Sequence, residues 1–124
     1  MTDALRTRSS RPAVILRGLG AVLGWHALLV AAFVAWVLVL PSEHSGAGCD
    51  GLGWGCTPNP RDGAIIVGIV FGVPAVAATL LVAGLAAAAL GARVRSGLIA
   101  GTAATFGTWL AGIAGVLVWL QAHA

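Results

Sequence analysis

Residues 18–40, GLGAVLGWHALLVAAFVAWVLVL, decide the fold. This run of 23 residues contains no Asp, Glu, Lys or Arg. A helix rising about 1.5 Å per residue needs about 20 apolar residues to cross a hydrocarbon core of about 30 Å. The run therefore reads as a transmembrane helix. It is too long for the h-region of a secretory signal, which spans about 7–15 residues. Ser45-Gly46-Ala47 loosely resembles a cleavage site, and Gly46-Ala47-Gly48-Cys49 loosely resembles a lipoprotein box. The box lacks the large aliphatic residue expected three before the cysteine, so the run is read as a retained span.

Toward the N-terminus, residues 1–17 carry Arg6, Arg8, Arg11 and Arg17 against one acid, Asp3, with Ser9, Ser10 and Pro12 adding breaker character. These residues read as a disordered basic cytoplasmic tail. Toward the C-terminus, residues 41–62, PSEHSGAGCDGLGWGCTPNPRD, form a Gly-rich loop that holds both cysteines and three of the four acids. A second apolar run follows at residues 63–90. Asn59 suits its N-cap and Pro60 its first helical position. Pro74 lies inside this run and predicts a kink, because it lacks a backbone donor and crowds the carbonyl of Val70. A short turn at residues 91–96, GARVRS, leads to a third run at residues 97–120.

Bulk composition agrees. Of 124 residues, 59% are apolar and 9% charged, against about 25% charged in soluble domains. So little polar surface cannot cover a water-soluble globule of this size, whereas lipid solvates an apolar exterior. The expected fold is all-α: an integral membrane bundle of three transmembrane helices, at about 18–40, 63–90 and 97–120, with one extracytoplasmic loop. Residues 18–124 form a single domain.

All seven basic residues are arginine. Six lie in the N-terminal tail and the 91–96 turn, and only Arg61 lies in the 41–62 loop. Positive residues favour the cytoplasmic side. The expected topology is a multi-pass protein of the cell membrane with a cytoplasmic N-terminus and an extracytoplasmic loop and C-terminus. Trp36 and Trp119 then fall near the outer interface, where indole rings collect. A net charge of +3 placed at membrane flanks is a topology signal and gives no reason to expect nucleic acid as a partner.

Small residues recur at helical spacing in each run, and each stripe begins with GxxxG: Gly20 and Gly24, Gly68 and Gly72, Gly97 and Gly101. Small faces let helix backbones approach closely in lipid, where dispersion replaces the hydrophobic drive. Such contacts are expected within the bundle, with self-association or a larger membrane complex as the alternative. Trp25, Leu29, Phe33, Trp36 and Leu40 share another face of the first helix and are expected to meet lipid or a partner.

Few residues carry candidate chemistry. Cys49 and Cys56, in the loop placed outside, favour a disulfide in an oxidising compartment. They lack CxxC spacing for a redox-active dithiol, and with His44 they lack a convincing fourth metal ligand. No metal site and no cofactor is expected. His26 is the one ionisable side chain within a span, and such groups raise a functional hypothesis. With no acid in any span, the favoured reading is a neutral imidazole bonded to a backbone carbonyl or a headgroup. Proton handling or a cofactor contact is the alternative. Thr102, Thr105 and Thr108 recur every third residue. Their hydroxyls are expected to bond back to the carbonyl four residues earlier, and the alternative is that all three line a polar seam in an oligomer. No carboxylate pair, Ser/His/Asp set or HExxH appears.

The segment CDGLGWGCTPNPRDG at residues 49–63, followed at once by an apolar helix, resembles small multi-span integral membrane proteins of actinobacteria, streptomycetes among them. The resemblance implies a place in the membrane and no particular activity. The expected function is non-enzymatic: an accessory or structural component that self-associates or joins a larger membrane complex, with membrane lipid around it. A subunit of an oligomeric transporter or channel is the second expectation, and a membrane thiol-disulfide protein the third.

Overall fold

The computed structural model describes residues 2–43 and 58–124. Helix α1 is Thr2–Val39. Helix α2, Pro60–Val67, continues through a π-helical turn, Gly68–Gly72, into α3, Val73–Gly91. Helix α4 is Gly97–His123. No strand occurs among the described residues. Among the described residues, three stretches are long and apolar enough to cross a membrane: Pro12–Val39 with 28 residues, Pro60–Gly91 with 32 and Gly97–His123 with 27. At about 1.5 Å per residue all exceed a core of about 30 Å. The chain is an all-α, multi-pass membrane protein with three candidate spans.

Helix α1 begins ahead of the expected span. The backbone is helical from Thr2, not only from Gly18. Ala4, Leu5, Arg6 and Arg8 are good helix formers. Pro12 lies inside the helix, where it forfeits the one bond its missing N–H would make to the carbonyl of Arg8. The C-terminal end of α1 follows from Pro41, which disfavours α geometry in the residue before it. The last turn tightens, with Leu40 N–H donating to the Val37 carbonyl at 3.2 Å.

Asn59 caps α2 as its sequence position predicts. It is extended, at φ −60° and ψ 160°, and Pro60 opens the helix. Its Oδ1 accepts from the backbone N–H of Asp62 at 2.7 Å, while its Nδ2 donates to Asp62 Oδ2 at 2.9 Å and to the Ser42 carbonyl at 3.1 Å. At the position where Pro74 predicts a kink, the structure places the π-helical turn. Val73 N–H donates to the Gly68 carbonyl, five residues back. Widening the turn immediately ahead of Pro74 is a known way for a helix to accommodate a missing donor.

The chain divides into two units, Met1–Ala27 with Val76–Ala124, and Leu28–Ala75. The first unit has its core at Val22, Ala83, Ala87 and Ala104, with Leu80, Ala86 and Leu90 packed against it. Its register follows from three close approaches. Gly91 of α3 faces Ile15, Gly84 faces Leu19 and Thr79 faces His26, so α3 runs antiparallel to α1. Gly97 of α4 faces Val14 and Gly101 faces Gly18 and Ala21, so α4 runs parallel to α1. The α3–α4 turn is closed by Arg93 and Val94 N–H groups, which donate to the Leu90 carbonyl at 2.9 and 2.8 Å. In the second unit, the Phe33 ring lies over Gly68 and beside Trp36, with centroids 5.8 Å apart. Val37 and Asn59 are buried there.

Candidate functional site: a polar node inside the first unit

Within the first unit, helix packing starts from glycine. A methyl built on Gly97 would overlap the Val14 carbonyl oxygen and sit 2.9 Å from Arg17 Cβ. One built on Gly101 would overlap the Gly18 carbonyl oxygen and sit 2.8 Å from Ala21 Cβ. The α4 backbone therefore lies against the α1 backbone along this seam, a close approach only glycine permits.

One to two turns further along, this tight seam brings polar side chains together. His26 of α1 is 3% exposed. Its Nδ1 lies 2.8 Å from the Val22 carbonyl oxygen, and its Nε2 lies 3.1 Å from Thr79 Oγ1 of α3. Thr79 Oγ1 is also 3.1 Å from the Val76 carbonyl oxygen. The Trp109 ring of α4 meets the imidazole edge to face, with centroids 5.5 Å apart. Beside this node Trp25 Nε1 donates to Thr102 Oγ1 at 3.2 Å, and the Trp25 ring packs edge-on against Phe106 at 5.1 Å. Phe106 in turn meets Trp109 at 5.4 Å. Every buried side-chain nitrogen or oxygen among the described residues has a hydrogen-bond partner. Such satisfaction is what burial in a low-dielectric interior requires.

The residues singled out by sequence distribute as follows. His26 has the expected carbonyl partner and, in addition, Thr79, which periodicity along one helix does not reveal. Thr105 Oγ1 donates to the Gly101 carbonyl at 2.9 Å and Thr108 Oγ1 to the Ala104 carbonyl at 2.8 Å, so both hydroxyls bond back along α4. Gly97 and Gly101 are buried, whereas Gly20 and Gly24 are exposed with open space where a Cβ would project. The α1 residue in the close seam is Gly18, two positions from the stripe that sequence marks. Gly68 is half-buried beneath Phe33, and Gly72 faces open space. Trp25 departs from the expected lipid-facing stripe. Its indole N–H must be satisfied away from water, and Thr102 supplies the acceptor. Trp36, 52% exposed, stays outward. His44, Cys49 and Cys56, with the disulfide expected of the cysteine pair, lie outside the described residues.

Comparison with protein-family models, curated proteins and solved structures finds no match. The functional reading therefore rests on the chain's own residues.

Proposed function

We propose that this chain is a non-enzymatic integral protein of the cell membrane, an accessory or structural component that associates with a second copy of itself or with a larger membrane complex. The observation that carries the reading is the open small-residue face of α1. Gly20, Gly24 and Ala27, all in the first unit, are exposed. Gly20 and Gly24 have nothing within 4 Å of a Cβ built on them. A backbone bare of side chains is what a neighbouring helix needs for close approach. The small share of each span buried by the chain itself, 17%, none and 11% of the most apolar windows, supports the same reading. The arginine distribution supports a cytoplasmic N-terminus and an extracytoplasmic 41–62 loop. In that orientation an oxidising compartment favours a disulfide between Cys49 and Cys56.

Gly24→Leu tests the reading. It adds bulk on the open face, where a Cβ has nothing within 4 Å. The complex recovered in mild detergent should dissociate while helix content and thermal unfolding of the chain are retained. Retention of the complex would refute this face as the interface.

A second reading, a subunit of an oligomeric transporter or channel, is favoured by the buried His26 and its contact with Thr79. Liposome flux that requires His26 would support it.

A further inference from the structure

The positive charge of the chain is concentrated in the first unit. Six of the seven arginines belong to it, and its one acid is Asp3. Arg93 and Arg95 stand in the turn between α3 and α4. The packing of that turn brings a third arginine to the same place. Gly91, at its start, lies against Val14 and Ile15 of α1, and Gly97, at its end, lies against Val14, Arg17 and Gly18. The turn therefore crosses α1 at the level of Arg17, whose Cβ is 2.9 Å from a methyl built on Gly97. Arg17, Arg93 and Arg95 are all exposed. Asp3 is too far away to neutralise them. It shares α1 with Arg17, and at about 1.5 Å per residue the helix separates the two by about 20 Å. That is more than twice the screening length of about 8 Å at physiological salt.

The surface beside these charges is apolar. Leu16, next to Arg17, and Leu98 and Ile99, just after Gly97, are all exposed. A soluble anion would use the charges alone. A phospholipid uses both features, with its phosphate among the arginines and its acyl chains along the apolar side chains. We propose that Arg17, Arg93 and Arg95 form a binding site for the headgroup of an anionic phospholipid, at the end of the first unit where α3 turns into α4. Basic groups between spanning helices at the membrane surface recognise such headgroups by charge. A zwitterionic headgroup carries its own cation beside the phosphate, so three arginines without a nearby acid favour the net anionic lipid. This site goes beyond the proposed accessory role and holds whether or not α1 associates with another helix.

The test is native mass spectrometry of the full-length protein in neutral detergent, titrated with phosphatidylglycerol and, separately, with phosphatidylcholine of the same acyl chains. Phosphatidylglycerol should bind more tightly by about tenfold or more. Arg17→Gln, Arg93→Gln and Arg95→Gln should each weaken it by about fivefold and leave phosphatidylcholine unchanged. The three replaced together by lysine keep the charge, so the preference should survive. Arg6→Gln, Arg8→Gln and Arg11→Gln combined should also leave it in place. Millimolar inorganic phosphate should not displace the lipid. Equal affinity for the two lipids would overturn the proposal. So would a preference that the lysine variant loses while still folded, or one that follows the 6–11 arginines instead of these three. Displacement by inorganic phosphate would assign the site to a soluble anion and overturn it as a lipid site.

Discussion

Gly101→Ala should be the most damaging single methyl in the first unit. The added Cβ would overlap the Gly18 carbonyl oxygen, lie 2.8 Å from Ala21 Cβ and 3.0 Å from the Gly18 carbonyl carbon. Two of these three obstacles are backbone atoms and the third is fixed to the backbone, so no side-chain rotation relieves the overlap. The α1–α4 spacing must open by about 0.5–1 Å, and a gap of that size forfeits a quarter to a half of each dispersion contact along the seam. Overpacking typically costs about 1–3 kcal/mol, and a backbone obstacle places this case at the upper end. The better helix propensity of alanine returns at most about 1 kcal/mol. The net expectation is a loss of about 2 kcal/mol, or more than tenfold in the folded-to-unfolded ratio. Gly107→Ala, also on α4, is the matched control, since its methyl meets nothing within 4 Å and keeps only the propensity gain. Equilibrium unfolding of the full chain in bilayers, by steric trapping, should separate the two variants by about 3 kcal/mol. Equal stability of the two would refute the backbone-to-backbone seam.

Asn59→Ala removes the N-cap of α2 together with the bond to the Ser42 carbonyl. It should cost about 1 kcal/mol and speed amide exchange at Asp62, and unchanged exchange there would count against the cap. Trp25→Phe keeps a ring against Phe106 but loses the 3.2 Å bond to Thr102, so unfolding should weaken by about 0.6 kcal/mol. A larger loss would mean that indole packing, rather than its N–H, holds the site. The double change Thr105→Val and Thr108→Val deletes two hydroxyls that bond back along α4. It should leave association and any liposome flux unaltered, whereas flux lost with these hydroxyls would restore the polar-seam reading.

The spans were legible because crossing a membrane demands length and uninterrupted apolarity, and residues 18–40 show both. Asn59 and Pro60 were legible because a cap is a local device. Back-bonding by Thr105 and Thr108 was legible for the same reason. Pairings between helices were not. In lipid both the inner and outer faces of a helix are apolar, so hydrophobic periodicity does not mark which face turns inward. The stripe beginning at Gly20 thus looks equivalent to the face bearing Gly18, though it is Gly18, with Val14, Arg17 and Ala21, that lies against Gly97 and Gly101. Trp25 looked like part of an aromatic lipid face until Thr102 provided its acceptor. Thr79 lies 53 residues from His26, and nothing in the spacing of either helix announces their meeting. Helicity before Gly18 was missed because arginines and serines were weighed as polar tail rather than by helix propensity.

We propose that the open face of α1 serves association. Crosslinking in native membranes, followed by purification in mild detergent and mass measurement of the intact complex, tests it most directly. A homogeneous oligomer or a stoichiometric partner, with crosslinks mapping to the Gly20–Gly24 face, is the predicted result. Recovery of the chain as a bare monomer after efficient crosslinking would contradict the claim.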